Sequence, residues 1–166
     1  MEYKKGDIIF FEWKSFASKI IQTYNLLKYG QKGPTHIGII GDIQGEDVLI
    51  YEAIAKGFTK SWYPIEFLER EQYDHKRAKL LLKNIQENLE KYIGKPYGWL
   101  SILSLGLSWF FRFKIDINLS NSVICSEATA KFLYDSSNKK INIADEYNKP
   151  YQLITPFEVY YSQFLK

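Results

Sequence analysis

Two apolar runs, HIGIIG at residues 36–41 and VLIYEAI at 48–54, constrain this fold more than any other feature. Both are rich in β-branched residues and they flank DIQGE, a turn-like link, so they read as a β-hairpin. A hairpin of this kind commits the chain to an antiparallel sheet. GDIIFFEW supplies another strand at about residues 7–12, opening on a Gly-Asp turn signal. The elements around this hairpin do not repeat a βαβ order. SFASKIIQTYNLLKYG carries apolar residues at 16, 20, 21, 24 and 27, which is helical spacing, with Ser15 placed to cap it and Gly30 to stop it. SWYPIEFLEREQ reads as a proline-started helical turn and RAKLLL as a strand. NIQENLEKYIG reads as a short helix with Asn84 at its cap and Gly94 at its end. The expected class is α+β, with an antiparallel sheet or partial barrel packed against helices. One domain spanning residues 1–166 suits the chain length.

Composition excludes several function classes. Hydrophobic residues make up 46% and charged residues 25%, which sets the chain apart from disordered proteins. The net charge is +3 and the lysines are dispersed, so no nucleic-acid partner is expected. One cysteine excludes an internal disulfide. Charge returns at Glu12 and Lys14 before any secretory apolar core develops, so no cleaved export signal is expected. The expected location is cytoplasmic, with a phage-associated protein as the alternative. From Trp99 to Phe111 the chain runs 13 residues without a charge. A spanning helix needs about 20. The run is therefore a buried helix, a greasy wall for a lipid-like substrate, or a patch that contacts a membrane surface.

The single cysteine, Cys125, lies in NSVICSEATAKFLY, where a helix begins. With Asn121 or Ser122 as cap, it falls in the first turn, where free N–H groups and the helix dipole favour a thiolate. The alternative is a small buried hydrophobe beside Ile124 and Ala128. A thiol nucleophile requires a base, and there are two histidines. His75 sits in EQYDHKR, a charged stretch that reads as a surface turn. His36 begins the hairpin. Pairing the strands about Gln44 sets Ile40 against Val48, Gly38 against Ile50 and His36 against Glu52. Glu52 then shares a face with Val48, Ile50 and Ile54, where an unpaired carboxylate is costly. Opposite His36 it can fix one ring nitrogen and leave the other for a thiol. A slipped register makes it an edge-strand carboxylate in water.

GDIIFF, PTHIGII, VLIYEAI, GKPY, VICSEATAKF and ITPFEVY follow one another in an order that resembles a circularly permuted branch of the NlpC-type papain-fold cysteine amidases, nearest to the YiiX-like group. The resemblance covers residue 6 to about residue 160, and the permuted members place His before Cys, as here. It implies a papain-like fold with Cys125 as nucleophile, His36 as base and Glu52 as third polar residue. It implies Tyr97 near the centre, either as an oxyanion donor or as a tyrosine packed on the sheet. Thr155 and Pro156 match a turn near the cleft, or simply a helix start. Gly98 departs from relatives that carry an acid there. Glu127 reads as a first-turn acid four residues before Lys131.

The chemistry so implied is acyl transfer through a thioester, with no cofactor and no metal, on a peptide, an amide or a lipid-like acyl group. More distant papain-fold relatives of the lecithin retinol acyltransferase group act on lipid acyl chains. The rival from another class is a non-catalytic binding or phage structural module that keeps the fold.

Overall fold

The computed structural model describes residues 2–100, 102 and 122–166. Its centre is a five-stranded, wholly antiparallel sheet in the order β4-β3-β2-β1-β5. The strands are β1 (Ile8–Phe11), β2 (His36–Gln44), β3 (Asp47–Ile54), β4 (Gly57–Pro64) and β5 (Gln72–Lys76). Helix α1 (Phe16–Tyr29) links β1 to β2, and α2 (Ile65–Glu71) links β4 to β5. Beyond the sheet come α3 (Ile85–Glu90), α4 (Cys125–Ser136), α5 (Ile143–Glu146), a 3-10 turn at Tyr151–Leu153, and α6 (Pro156–Tyr160). The expected α+β class with an antiparallel sheet against helices is what the chain forms.

Alternation divides the core into two layers. Ile8, Phe10, Ile37, Ile39, Leu49 and Tyr51 pack with Leu89 of α3 and with Ala128, Phe132 and Leu133 of α4. Ile9, Phe11, Ile40, Val48 and Ile50 face the other way, onto Leu68 of α2. Successive strand side chains point to opposite faces, so one sheet builds both layers.

The hairpin differs from expectation in register. Gly38 lies opposite Glu52 and Ile40 opposite Ile50, with a bulge between Ile40 and Asp42. The bulge falls at Gly41, where a Cβ would stand 2.2 Å from the Tyr51 ring. The absent side chain lets Tyr51 lie across the strand. The turn falls at Gly45–Glu46, with Gln44 opposite Asp47, and the extra residue at Gly41 takes one position back, so the pairing beyond it differs from the expected one by two. A two-residue slip preserves the face, so Glu52 still points with Ile50 and His36. The space at Gly38 lies against Ile50 and Phe11, and no helix enters it.

Other elements follow or correct the expectations. Ser15 caps α1 by accepting from the Ser18 N–H, and α1 ends on Gly30 at φ 71°. SWY belongs to β4, and α2 starts only after Pro64. RAKLLL is not a strand of the sheet; the preceding QYDHK is, because it pairs with β1. His75 is therefore on β5 beside Ile9, edge-on to Tyr3, and not in a surface turn. Asn84 precedes α3 at φ 50° without a side-chain cap bond. Among the described residues, no helix is long and apolar enough to cross a membrane. Of the run from Trp99 to Phe111, only Trp99, Leu100 and Ile102 are described residues; Trp99 is exposed and Ile102 is buried.

Candidate active site

Helix α4 begins at Cys125 itself. Ile124 occupies the N-cap in extended conformation and offers no side-chain acceptor, and the Ala128 N–H makes its bond to the Ile124 carbonyl. Ser122 therefore does not hold the expected cap position, and Asn121 lies outside the described residues. A helix that starts without a capping side chain leaves its first-turn N–H groups free to face an anion. Ser126 ties this end down, donating its hydroxyl to the Ile154 carbonyl at 2.6 Å. The expected Glu127–Lys131 ion pair forms, at 2.7 Å.

His36 is the first residue of β2, and from that end its imidazole lies close enough to Cys125 for the sulfur to favour its charged form. Its Nε2 lies 2.8 Å from Glu52 Oε2, which leaves Nδ1 as the nitrogen available to the thiol. Both His36 and Glu52 are 3% exposed, and Cys125 is 4% exposed. Although Gly38 takes the directly opposed position, Glu52 reaches His36 along the diagonal, a span that long side chains cover.

Burial by itself would lower the His36 pKa. The hydrogen bond and charge of Cys125, then those of Glu52, outweigh it and raise the group to about 9. Burial would likewise raise Glu52, yet the His36 contact and then the Tyr63 hydroxyl hold it below the usual carboxylate range. The pair thus favours imidazolium beside carboxylate.

Three further residues complete the environment. The Tyr63 hydroxyl donates to Glu52 Oε1 at 2.7 Å and so fixes the carboxylate from its other oxygen. Trp13 stacks on the imidazole, with centroids 3.7 Å apart and planes 14° apart, a face that attracts an imidazolium. Thr35 holds Trp13 in place: its Oγ1 accepts from the Trp13 N–H at 2.9 Å and donates to the Trp13 carbonyl. Tyr63 shares the face of Val48, Ile50 and Glu52 by alternation across β4, but that signal is hidden while SWYP reads as a helix start. Trp13 lies just past the end of β1, where periodicity carries no information.

Tyr97 forms a parallel bridge with Val123, and Gly98 N–H bonds the Val123 carbonyl at 3.0 Å. This pairing sets the tyrosine two residues upstream of the thiol on the adjoining chain. Burial and the charge of Cys125 both raise its pKa. At Gly98 a Cβ would stand 2.9 Å from Ile124 Cγ2, so glycine permits the approach that a side chain would block. Thr155 serves another purpose. It is buried at the N-cap of α6, accepting from Glu158 N–H and donating to Glu158 Oε2 in a capping box. Of the two expected readings of this threonine, the helix start is the one seen. His75 stands apart on β5. Among the described residues no three His, Cys, Asp or Glu side chains are arranged to hold a metal ion. No protein-family model matches the chain, and no curated protein matches it.

Proposed function

We propose that the protein is a thiol hydrolase that cleaves an amide or ester bond through a thioester on Cys125, on a papain-like scaffold of the permuted NlpC, YiiX-like kind. The observation that carries this reading is a buried imidazole bonded on one side to a carboxylate, with the lone thiol near enough to shift its protonation. A core cysteine needs no such partner, and an unpaired carboxylate at this depth costs several kcal/mol.

His36 takes the Cys125 proton, and the thiolate attacks the acyl carbonyl carbon. Glu52 holds the imidazolium so formed, and Tyr63 holds Glu52. The oxyanion develops at the uncapped start of α4, against the Cys125 N–H, with the Tyr97 hydroxyl as second donor. His36 returns its proton to the leaving amine or alkoxide. Water, deprotonated by His36, then cleaves the thioester. The burial of Cys125 favours one other reading, a non-catalytic binding module with an inert thiol.

p-Nitrophenyl acetate separates the two. The hydrolase releases a burst of one nitrophenolate per chain, and acid quenching traps acetyl on Cys125, detectable by peptide mass spectrometry. Cys125→Ser and His36→Ala abolish the burst. An unmodified Cys125 under conditions that keep the protein folded would establish the inert module instead.

A further inference from the structure

Helix α1 leaves three large apolar side chains on its outer side. Its buried side carries Ala17, Ser18, Ile21 and Asn25. Its outer side carries Phe16 at 72% exposure, Leu27 at 51% and Leu26 at 47%, with Lys19 and Thr23 between them. At 3.6 residues per turn these five positions fall within an arc of about 100°. Ser18 and Asn25 are buried beside Ala17 and Ile21, while Phe16, Leu26 and Leu27 meet solvent. Burying each of those three side chains is worth roughly 1.5–3 kcal/mol, which folding here forgoes.

Beside this face lies a groove of about 560 Å³ lined by Trp13, Lys14, Lys19, Leu26 and Lys32, among others. Lys14, Lys19 and Lys32 make no ion pair among the described residues. Glu12, the one acid of the lining, contacts Gln22. The groove therefore carries a surplus of positive charge on an apolar floor. Trp13 forms part of that floor and is the same ring that stacks on His36. Exposed Trp99 lies edge-on to Tyr97, and Tyr97 and Ile20 of α1 pack against the same small cluster of Ala17, Ile102 and Ile124.

We infer that α1 and its lysine-lined groove dock on an anionic lipid surface and present an acyl ester of a membrane lipid to Cys125. Exposed aromatic and leucine side chains flanked by lysines suit the interface between headgroups and acyl chains. Lys14, Lys19 and Lys32 pair with lipid phosphates, while Phe16, Leu26 and Leu27 enter the acyl boundary. An acidic peptide satisfies the lysines but leaves the three apolar side chains in water. The substrate class rests on the thiol hydrolase reading; the docking surface does not. In the reaction the Cys125 sulfur bonds the acyl carbon and the ester C–O bond breaks. The thiol proton passes through His36 to the lysolipid alkoxide, and water then releases the fatty acid and restores the thiol.

The test is co-sedimentation with vesicles of pure phosphatidylcholine and of an equimolar phosphatidylcholine–phosphatidylglycerol mixture, paired with p-nitrophenyl acetate acylation and fatty-acid release from the same vesicles. Binding to the mixed vesicles is expected, with little to the neutral ones. Each of Lys14→Gln, Lys19→Gln and Lys32→Gln weakens it about fivefold, and added salt does the same. Phe16→Ser combined with Leu27→Ser weakens it at least tenfold with the melting temperature unchanged, since both side chains are exposed. Fatty-acid release requires Cys125. Equal binding to both vesicle types, no binding, or a dimer formed through this face in place of vesicle binding would overturn the docking surface, even where Cys125 acylates normally. Vesicle binding with Cys125 acylated by the soluble ester but no fatty acid released would overturn the lipid substrate. Vesicle binding without acylation would overturn the hydrolase reading and leave the docking surface standing.

Discussion

Two buried carboxylates hold this molecule together, and they are surrounded very differently. Glu158 lies at the start of α6, fully buried, with Lys149 Nζ at 2.6 Å and Lys28 Nζ at 3.3 Å. Tyr29 donates to the same oxygen, and the Thr155 N–H and hydroxyl occupy the other. Burial would raise its pKa, but Lys149 above all holds it down. Its partners are two lysine ammonium groups, a tyrosine hydroxyl and the capping donors of Thr155. It fastens α1 to the C-terminal segment. Glu52 has one partner, His36, that can change charge and that also responds to a neighbouring thiol. Equal burial thus produces a clamp in one place and a proton-transfer site in the other. The identity of the counter-charge decides which.

Glu158→Gln breaks the clamp. It leaves nearly buried Lys149 without a counter-charge, so chemical denaturation should show a loss of about 3–5 kcal/mol, with Cys125 acylation per folded molecule unchanged. Glu52→Gln should divide the effects the other way. Acylation in stopped flow falls about 10²–10³-fold, because the imidazolium loses its support, while the stability loss is smaller than for Glu158→Gln.

The pH dependence of stability separates the two regions further. His36 is raised in the folded state, so its contribution is complete below about 6.5 and is lost as pH rises toward about 9. That loss is on the order of 3 kcal/mol in urea titrations. Glu158 is lowered, so its contribution is present above the ordinary carboxylate range and is lost as pH falls through the folded value. Glu52→Gln should flatten the alkaline limb and Glu158→Gln the acid limb. The smallest effect is expected for Tyr63→Phe, which removes one hydrogen bond to Glu52 and lowers stability by about 1 kcal/mol, with a severalfold fall in acylation rate.

Much of the candidate site was legible because it rests on period and face. Alternation placed Glu52 among apolar neighbours and pointed to His36 as the side chain able to answer it. The register itself was not legible, since nothing in DIQGE fixes the turn at Gly45–Glu46 instead of about Gln44, and nothing in the run HIGIIGDIQ marks Gly41 as a bulge until Tyr51 is seen lying against it. The face survived that error because the displacement was even. Trp13, Tyr63 and the Glu158 clamp were hidden for a different reason. Trp13 sits at a loop end and Glu158 in a short capped helix, neither of which gives a periodic signal, and the alternation that carries Tyr63 is masked while its strand reads as a helix start. Thr155 left two readings open because a threonine before proline reads alike as a cleft turn or a helix cap, and its bonds to Glu158 show the cap.

The reactivity of Cys125 toward iodoacetamide at pH 6, followed by intact mass on the folded protein, addresses the pairing of thiol and imidazole without any choice of substrate. Wild-type protein should alkylate at least tenfold faster than His36→Ala at that pH, because His36 accepts the proton and stabilises the sulfur anion. Equal rates in the two proteins, or labelling only after denaturation, would show that residues 36 and 125 are neighbours without chemistry between them.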